Sequence, residues 1–151
     1  MAVKAFSFAR FANISGLQAA TPGQLDTVPV GFSNSIRWNA GHVLVIAESI
    51  LRHSEKYEPV LPSNYKDFFF MGTSPSDWKD EPPSVSELEE LSAKQVQAVQ
   101  DLVENHLDSP LKKAFEIRGR SFDTVSELVS FISYHEGLHF ATIKALLKAT
   151  K

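Results

Sequence analysis

Three breaks rich in proline and glycine divide this chain, and the stretches between them decide what it can fold into. Pro22-Gly23 and Pro29-Val30-Gly31 interrupt residues 21–34. Pro59, Pro62, Gly72, Pro75, Pro82 and Pro83 interrupt 58–83, and Pro110 and Gly119 mark a shorter break at 108–124. Proline removes a backbone donor and fixes φ, so neither a long helix nor a central strand runs through such stretches. Each of the four remaining segments carries the 3.6-residue apolar period of an amphipathic helix, and none shows sustained strand alternation. The chain is therefore predicted to be all-α: a four-helix bundle, with long crossover connections where the breaks are long.

The first segment runs over 3–19, with Val3, Phe6, Phe11, Ile14 and Leu17 within an arc of about 140°. The second spans 34–55, with Ser33 or Asn34 as N-cap. It carries Ile36, Val43, Ile46, Ala47 and Ile50 on its stripe, and Trp38 and Val45 off it, so more than one of its sides is buried. The third opens at the capping box Ser84-Val-Ser-Glu87, and the fourth at a second box, Thr124-Val-Ser-Glu127, running to Lys148. Phe115 to Phe122 reads as a short extended turn, not a sheet. Phe68-Phe69-Phe70 and Trp78 mark the 58–83 connection as packed rather than free. Phe8 lies outside the main stripe of the first segment, an excess of apolar surface that points to a second subunit and a homodimer.

Residues 1–151 fit one domain. Lys and Arg number 15 against 18 Asp and Glu, a net charge of −3, which excludes a generally basic nucleic-acid binder. The chain has no cysteine. Thiolate nucleophiles, disulfides and Cys-ligated zinc are excluded with it, and a transition-metal site must use His and carboxylate. The longest apolar run inside a helical segment, Val43-Leu44-Val45-Ile46-Ala47, falls far short of the ~20 residues that span a bilayer, so no membrane partner is expected. Met1 to Phe6 has no continuous apolar region resembling a signal peptide, which makes cytoplasmic residence the expectation.

Two of the five histidines form His135-Glu-Gly-Leu-His139. A spacing of i, i+4 puts both imidazoles on one helix face about 6 Å of rise apart, where both reach one ion at ~2.1 Å. That face is the apolar stripe of Leu128, Ile132, Ile143 and Leu146. The alternative is two buried histidines hydrogen-bonded to neighbours, but few polar residues on the other apolar faces are available as partners. The string also matches the H-E-x-x-H helix of metalloproteases. Thr142 and Ala145 stand near the places of the extended motif, and none of the 12 residues after His139 is His, Asp or Glu, so the protease reading fails. A third ligand must come from upstream. His42, in Trp38-Asn-Ala-Gly-His42, is the best candidate, the alternative being a half-exposed border histidine; Gly41 beside it permits close approach. His53 and His106 read as solvated. Glu136 reads as a general base, an orienting group or an interhelix salt bridge. Asn39, one turn before His42, reads as a hydrogen-bonding partner of a bound ligand or of the imidazole.

Asn39-Ala-Gly-His42 on one helix is followed by a Pro-rich crossover, a helix opened by Pro83-Ser84-Val-Ser-Glu-Leu88, and a last helix with Thr124-Val-Ser-Glu-Leu128 and His135-Glu-Gly-Leu-His139. In order and spacing this resembles the DinB-like (YfiT-like) superfamily of metal-dependent enzymes, over nearly the whole chain. The resemblance implies a bundle with a nonstandard order of helix directions. It also implies a three-histidine site of His42, His135 and His139 for one divalent ion (zinc or nickel first) and a homodimer. Members of known activity include thiol S-transferases that use bacillithiol or related low-molecular-weight thiols. The expected function is accordingly a metal-dependent thiol S-transferase acting on a small-molecule substrate. A metal-dependent hydrolase with activated water, and a non-catalytic stress-related metal-binding protein, are the alternatives the sequence leaves open.

Overall fold

Helix starts follow the caps that the sequence supplies. A computed structural model describes residues 2–151 and is 62% helical. In chain order the elements are α1 (Ala2–Ala19), α2 (Pro22–Leu25), α3 (Ile36–Leu51), α4 (Tyr65–Phe69), α5 (Val85–His106), strands β1 (Pro110–Ile117) and β2 (Arg120–Thr124), and α6 (Val125–Ala149). Ser84 Oγ accepts from Glu87 N at 3.2 Å while Glu87 Oε2 accepts from Ser84 N at 3.0 Å. Thr124 and Glu127 repeat the arrangement at the start of α6. Each cap is worth about 1 kcal/mol to its helix.

Two apolar clusters fill the ends of the bundle, and they fix the direction of each helix. Ile36, Leu44, Leu88, Leu17, Ile143 and Leu146 belong to one cluster. Ile50, Leu51, Val99, Leu102, Phe6 and Leu128 belong to the other. Helices α3 and α5 thus both run from the first cluster to the second and lie parallel, while α1 and α6 run the opposite way. The connection from 52 to 84 is the long crossover that a parallel pair requires. Glu48 secures its start: its buried carboxylate accepts from Val60 N at 2.6 Å, Leu61 N at 3.0 Å, Tyr57 Oη at 2.5 Å and Gln95 Nε2 at 2.9 Å. Burial and the bond to Glu48 push the Tyr57 hydroxyl well above the usual tyrosine range. Among the described residues no helix is long and apolar enough to cross a membrane.

Four details depart from the sequence reading. The second long helix is Ile36–Leu51 rather than 34–55 and is capped by Ser35, whose Oγ accepts from Trp38 N at 3.2 Å. Two short helices, α2 and α4, form inside the breaks. The stretch read as an extended turn is an antiparallel hairpin. Arg118 and Gly119 turn it at positive φ (48° and 74°), and Phe115 pairs with Phe122 across it. Those two rings pack on Phe131 of α6, which gives the hairpin its apolar support. Phe11, placed on the apolar stripe of the first helix, is 71% exposed; the buried stripe of α1 is Phe6, Arg10, Asn13 and Leu17.

Between the two clusters lies a layer of buried polar side chains: Arg10 and Asn13 from α1, Asn39, His42 and Glu48 from α3, Ser92 and Gln95 from α5, and Glu136 from α6. Phe69 of α4 closes over α3 at Gly41, where an added Cβ would stand 2.5 Å from its ring. Phe69 is fully buried and has nowhere to move. Gly41→Ala is therefore expected to destabilise the protein by about 1–3 kcal/mol through overpacking. Gly137→Ala, with nothing within 4 Å of the new methyl, should stabilise it by about 0.5–1 kcal/mol by helix propensity. Urea unfolding of the two variants checks the opposite signs.

Candidate metal centre

Helix α6 turns His135 and His139 toward α3, where His42 and Asn39 face them. The candidate ligand nitrogens of His42, His135 and His139 all lie within 4.8 Å of one another. The ring centroids are 5.2 Å apart for His42 and His135, 4.7 Å for His42 and His139, and 4.5 Å for His135 and His139. A tetrahedral ion with bonds of ~2.1 Å needs nitrogens about 3.4 Å apart, and the Nε2 atoms of His135 and His139 stand 3.1 Å apart. His42 is buried, and His135 and His139 are half-buried.

The other ring nitrogen of two of these histidines is already committed. His42 Nδ1 donates to Phe69 O at 2.7 Å. His139 Nδ1 donates to Asn39 Oδ1 at 2.7 Å, and Asn39 Nδ2 in turn donates to Ser35 O at 2.8 Å. That last bond leaves the amide oxygen of Asn39 to face the imidazole. Both rings are thereby held as Nδ1–H tautomers with a bare lone pair on Nε2, the form that ligates a metal. His139 Nε2 lies 3.1 Å from His135 Nε2. With the His139 lone pair exposed, His135 either donates a proton across that gap or turns a second lone pair into it. In the latter case a cation between the two nitrogens removes the repulsion. Trp38 stacks on His42 with centroids 4.3 Å apart and planes 16° from parallel, and its Nε1 donates to Thr73 Oγ1 at 2.9 Å. This donor set, with two of its three imidazoles pre-oriented, fits a divalent ion.

Glu136 is fully buried, but its oxygens are engaged elsewhere. Arg10 donates to Oε1 from Nε at 2.9 Å and from Nη2 at 2.5 Å, and Asn13 Nδ2 donates to Oε2 at 2.8 Å. Neither His53 nor His106 joins the cluster. His53, read from sequence as solvated, is half-buried and docks the hairpin: its Nδ1 donates to Lys113 O at 2.9 Å, and its own carbonyl accepts from Lys112 N at 3.0 Å. Sequence reasoning missed Arg10 and Asn13. A signal was there, since they stand four and seven residues after Phe6 and so on its helical face. The carbonyl of Phe69 left no side-chain signal; Gly41, which lets that segment approach, is its only trace.

Burial lowers all three imidazoles, His42 and His135 to about 4 and His139 to about 3, with the neighbouring rings adding to the effect at His42 and His139. At neutral pH the three are uncharged and compete for a cation without first losing protons. In the metal-free protein the unfolded chain takes up these protons near the ordinary value of 6.5, while the folded chain does not until near 4 or below. Unfolding thus binds protons throughout that window, and stability falls as pH drops through it. The urea midpoint of chelator-treated protein should decline between about pH 7 and pH 5, and His135→Leu should make the decline shallower.

The family profile described as the DinB superfamily matches residues 6–143. No curated protein matches the chain.

Proposed function

The chain belongs to the DinB superfamily, and on that footing we propose that it is a divalent-metal enzyme, a thiol S-transferase using a low-molecular-weight thiol such as bacillithiol. The observation that carries the reading is the convergence of three imidazoles, two of them fixed by their second nitrogens. His42, His135 and His139 would hold the ion, zinc or nickel by donor chemistry, and three protein ligands leave a position for a small molecule. The chemistry such an ion supplies is Lewis acidity, which lowers the pKa of a thiol and raises the thiolate fraction at neutral pH. Because the chain has no cysteine, the sulfur must arrive on a cosubstrate. That sulfur forms the new bond to carbon as a leaving group departs with its electron pair, and the thiol proton goes to solvent.

In this reading Asn39 orients His139, Phe69 O orients His42, and Trp38 forms the wall behind His42. Glu136, with its carboxylate engaged by Arg10 and Asn13, acts beside the ligands rather than as a base. The rings of Phe8 and Phe11, each 71% exposed on α1, support a homodimer. A cytoplasmic setting, where small thiols stay reduced, belongs to the same proposal.

Elemental analysis of untagged protein grown with zinc and nickel should find about one ion per chain in wild type. Any of His42→Ala, His135→Ala or His139→Ala should cost most of the affinity, whereas His53→Ala and His106→Ala should not. Wild type should consume thiol against a panel of small electrophiles, and His135→Ala should not. Metal-free wild type under these conditions would overturn the proposal. Full metal in His42→Ala would remove that residue from the ligand set.

A further inference from the structure

Glu136 separates the two histidines of α6, and the grip on it comes from α1. Beyond the two bonds from Arg10 and the one from Asn13 to its carboxylate, Asn13 Nδ2 also donates to the main-chain oxygen of Glu136 at 3.0 Å. That contact reaches the backbone of α6 in mid-helix, so it holds the helix itself and not only a side chain. Arg10 is 1% exposed, and Asn13 and Glu136 are fully buried. Three residues beyond Asn13, Gly16 brings α1 so close to α6 that a Cβ there would lie 2.5 Å from Ile143 Cγ2.

Stability is a weak explanation for this group. A buried ion pair is commonly matched or bettered by apolar side chains of the same volume, and its best-attested use is to specify one arrangement among several. Here the arrangement that matters is the rotation of α6. Side-chain tips stand roughly 6 Å from a helix axis, so a rotation of about 10° moves them about 1 Å. A metal site tolerates about 0.2 Å in its ligand distances. Apolar faces discriminate poorly between such rotations, whereas charge-assisted hydrogen bonds are directional. Glu136 turned to α1 sets His135 and His139, one residue before it and three after, toward α3.

We propose that Arg10 and Asn13 are positioning residues for the three-histidine centre, clamping α6 at Glu136 in the rotation that presents His135 and His139 to His42. The inference rests on the metal-binding reading of that cluster.

The probe is Co²⁺ alone, titrated into chelator-stripped protein, with affinity from competition and coordination from the visible d–d bands. The triple variant Arg10→Met, Asn13→Leu, Glu136→Met should unfold cooperatively at or above the wild-type midpoint. It should also bind Co²⁺ at least about 10-fold more weakly and with altered bands. Asn13→Ala, which leaves the ion pair in place, covers the case in which the triple variant does not fold. It should weaken binding by a smaller factor, while Leu17→Ala, a destabilised control on the same helix, keeps wild-type affinity and bands when fully folded. Wild-type affinity and bands in the triple variant would overturn the proposal. So would a loss in Asn13→Ala no larger than in Leu17→Ala. Failure of wild type itself to bind Co²⁺ is a separate outcome, and it removes the metal reading together with this one.

Discussion

Arg10 and Glu136 meet at the centre of the bundle with their side chains 2% and 0% exposed. Neither charge can be left alone there. Separating such a pair leaves an uncompensated buried ion at a cost of about 3–5 kcal/mol, so α1 and α6 must dock with these two residues in register. Asn13 adds the backbone of α6 to the same junction. Once that junction is made, the flank of α6 that carries His135 and His139 has one place to go, the face of α3 that carries Asn39 and His42. The pairing of α1 with α6, the most extensive between any two helices, thus determines a site to which neither Arg10 nor Asn13 contributes a ligand.

The polar layer in which this occurs is sustained by the apolar clusters on either side. Leu17, Ile36, Leu44, Leu88, Ile143 and Leu146 at one end are almost wholly removed from water, as are Phe6, Leu51, Val99, Leu102, Leu128 and Ile132 at the other. Fully burying side chains of this size contributes roughly 1.5–3 kcal/mol each. The layer between them contributes arrangement instead. Glu48 is the clearest case, a buried carboxylate with four donors drawn from α5, Tyr57 and the backbone of the crossover. It joins the start of the crossover to α3 and α5, much as Glu136 joins α6 to α1.

How legible this was in the sequence depended on whether a feature was local. The capping boxes at Ser84 and Thr124 are written in four consecutive residues and predicted both helix starts. The i, i+4 pair His135 and His139 put two candidate ligands on one face, and Gly41 hinted at close approach beside His42, which Phe69 makes. What escaped was partnership. Arg10 and Asn13 sit on the buried stripe of α1, yet nothing within α1 says that a carboxylate 126 residues away will meet Arg10. The apolar arc drawn through Phe11 was wrong because periodicity counts hydrophobic residues and passes over a charged one whose partner makes it a core residue. The hairpin was misjudged for a related reason. Its strands are stabilised by Phe115 and Phe122 meeting Phe131 of α6, a contact that strand alternation alone does not reveal.

The electrostatics of the cluster bear on which small molecule it suits. Among the described residues, the groups able to share one ion are three imidazoles and no carboxylate. All three are held neutral by burial. The nearest acid along the helix, Glu136, is neutralised by Arg10. The protein thus offers a divalent cation donors without charge, and the charge compensation has to come from whatever fills the remaining position. In a half-buried site, where the effective dielectric is well below that of water, that requirement favours an anion over a neutral ligand. Water meets it as hydroxide once a bound ion has loosened its proton, as zinc does in carbonic anhydrase. A small thiol, which starts from about 8.5, meets it as thiolate. The same ligand set that leaves the metal's identity open therefore calls for an anion, hydroxide or thiolate alike, in the position that the imidazoles leave.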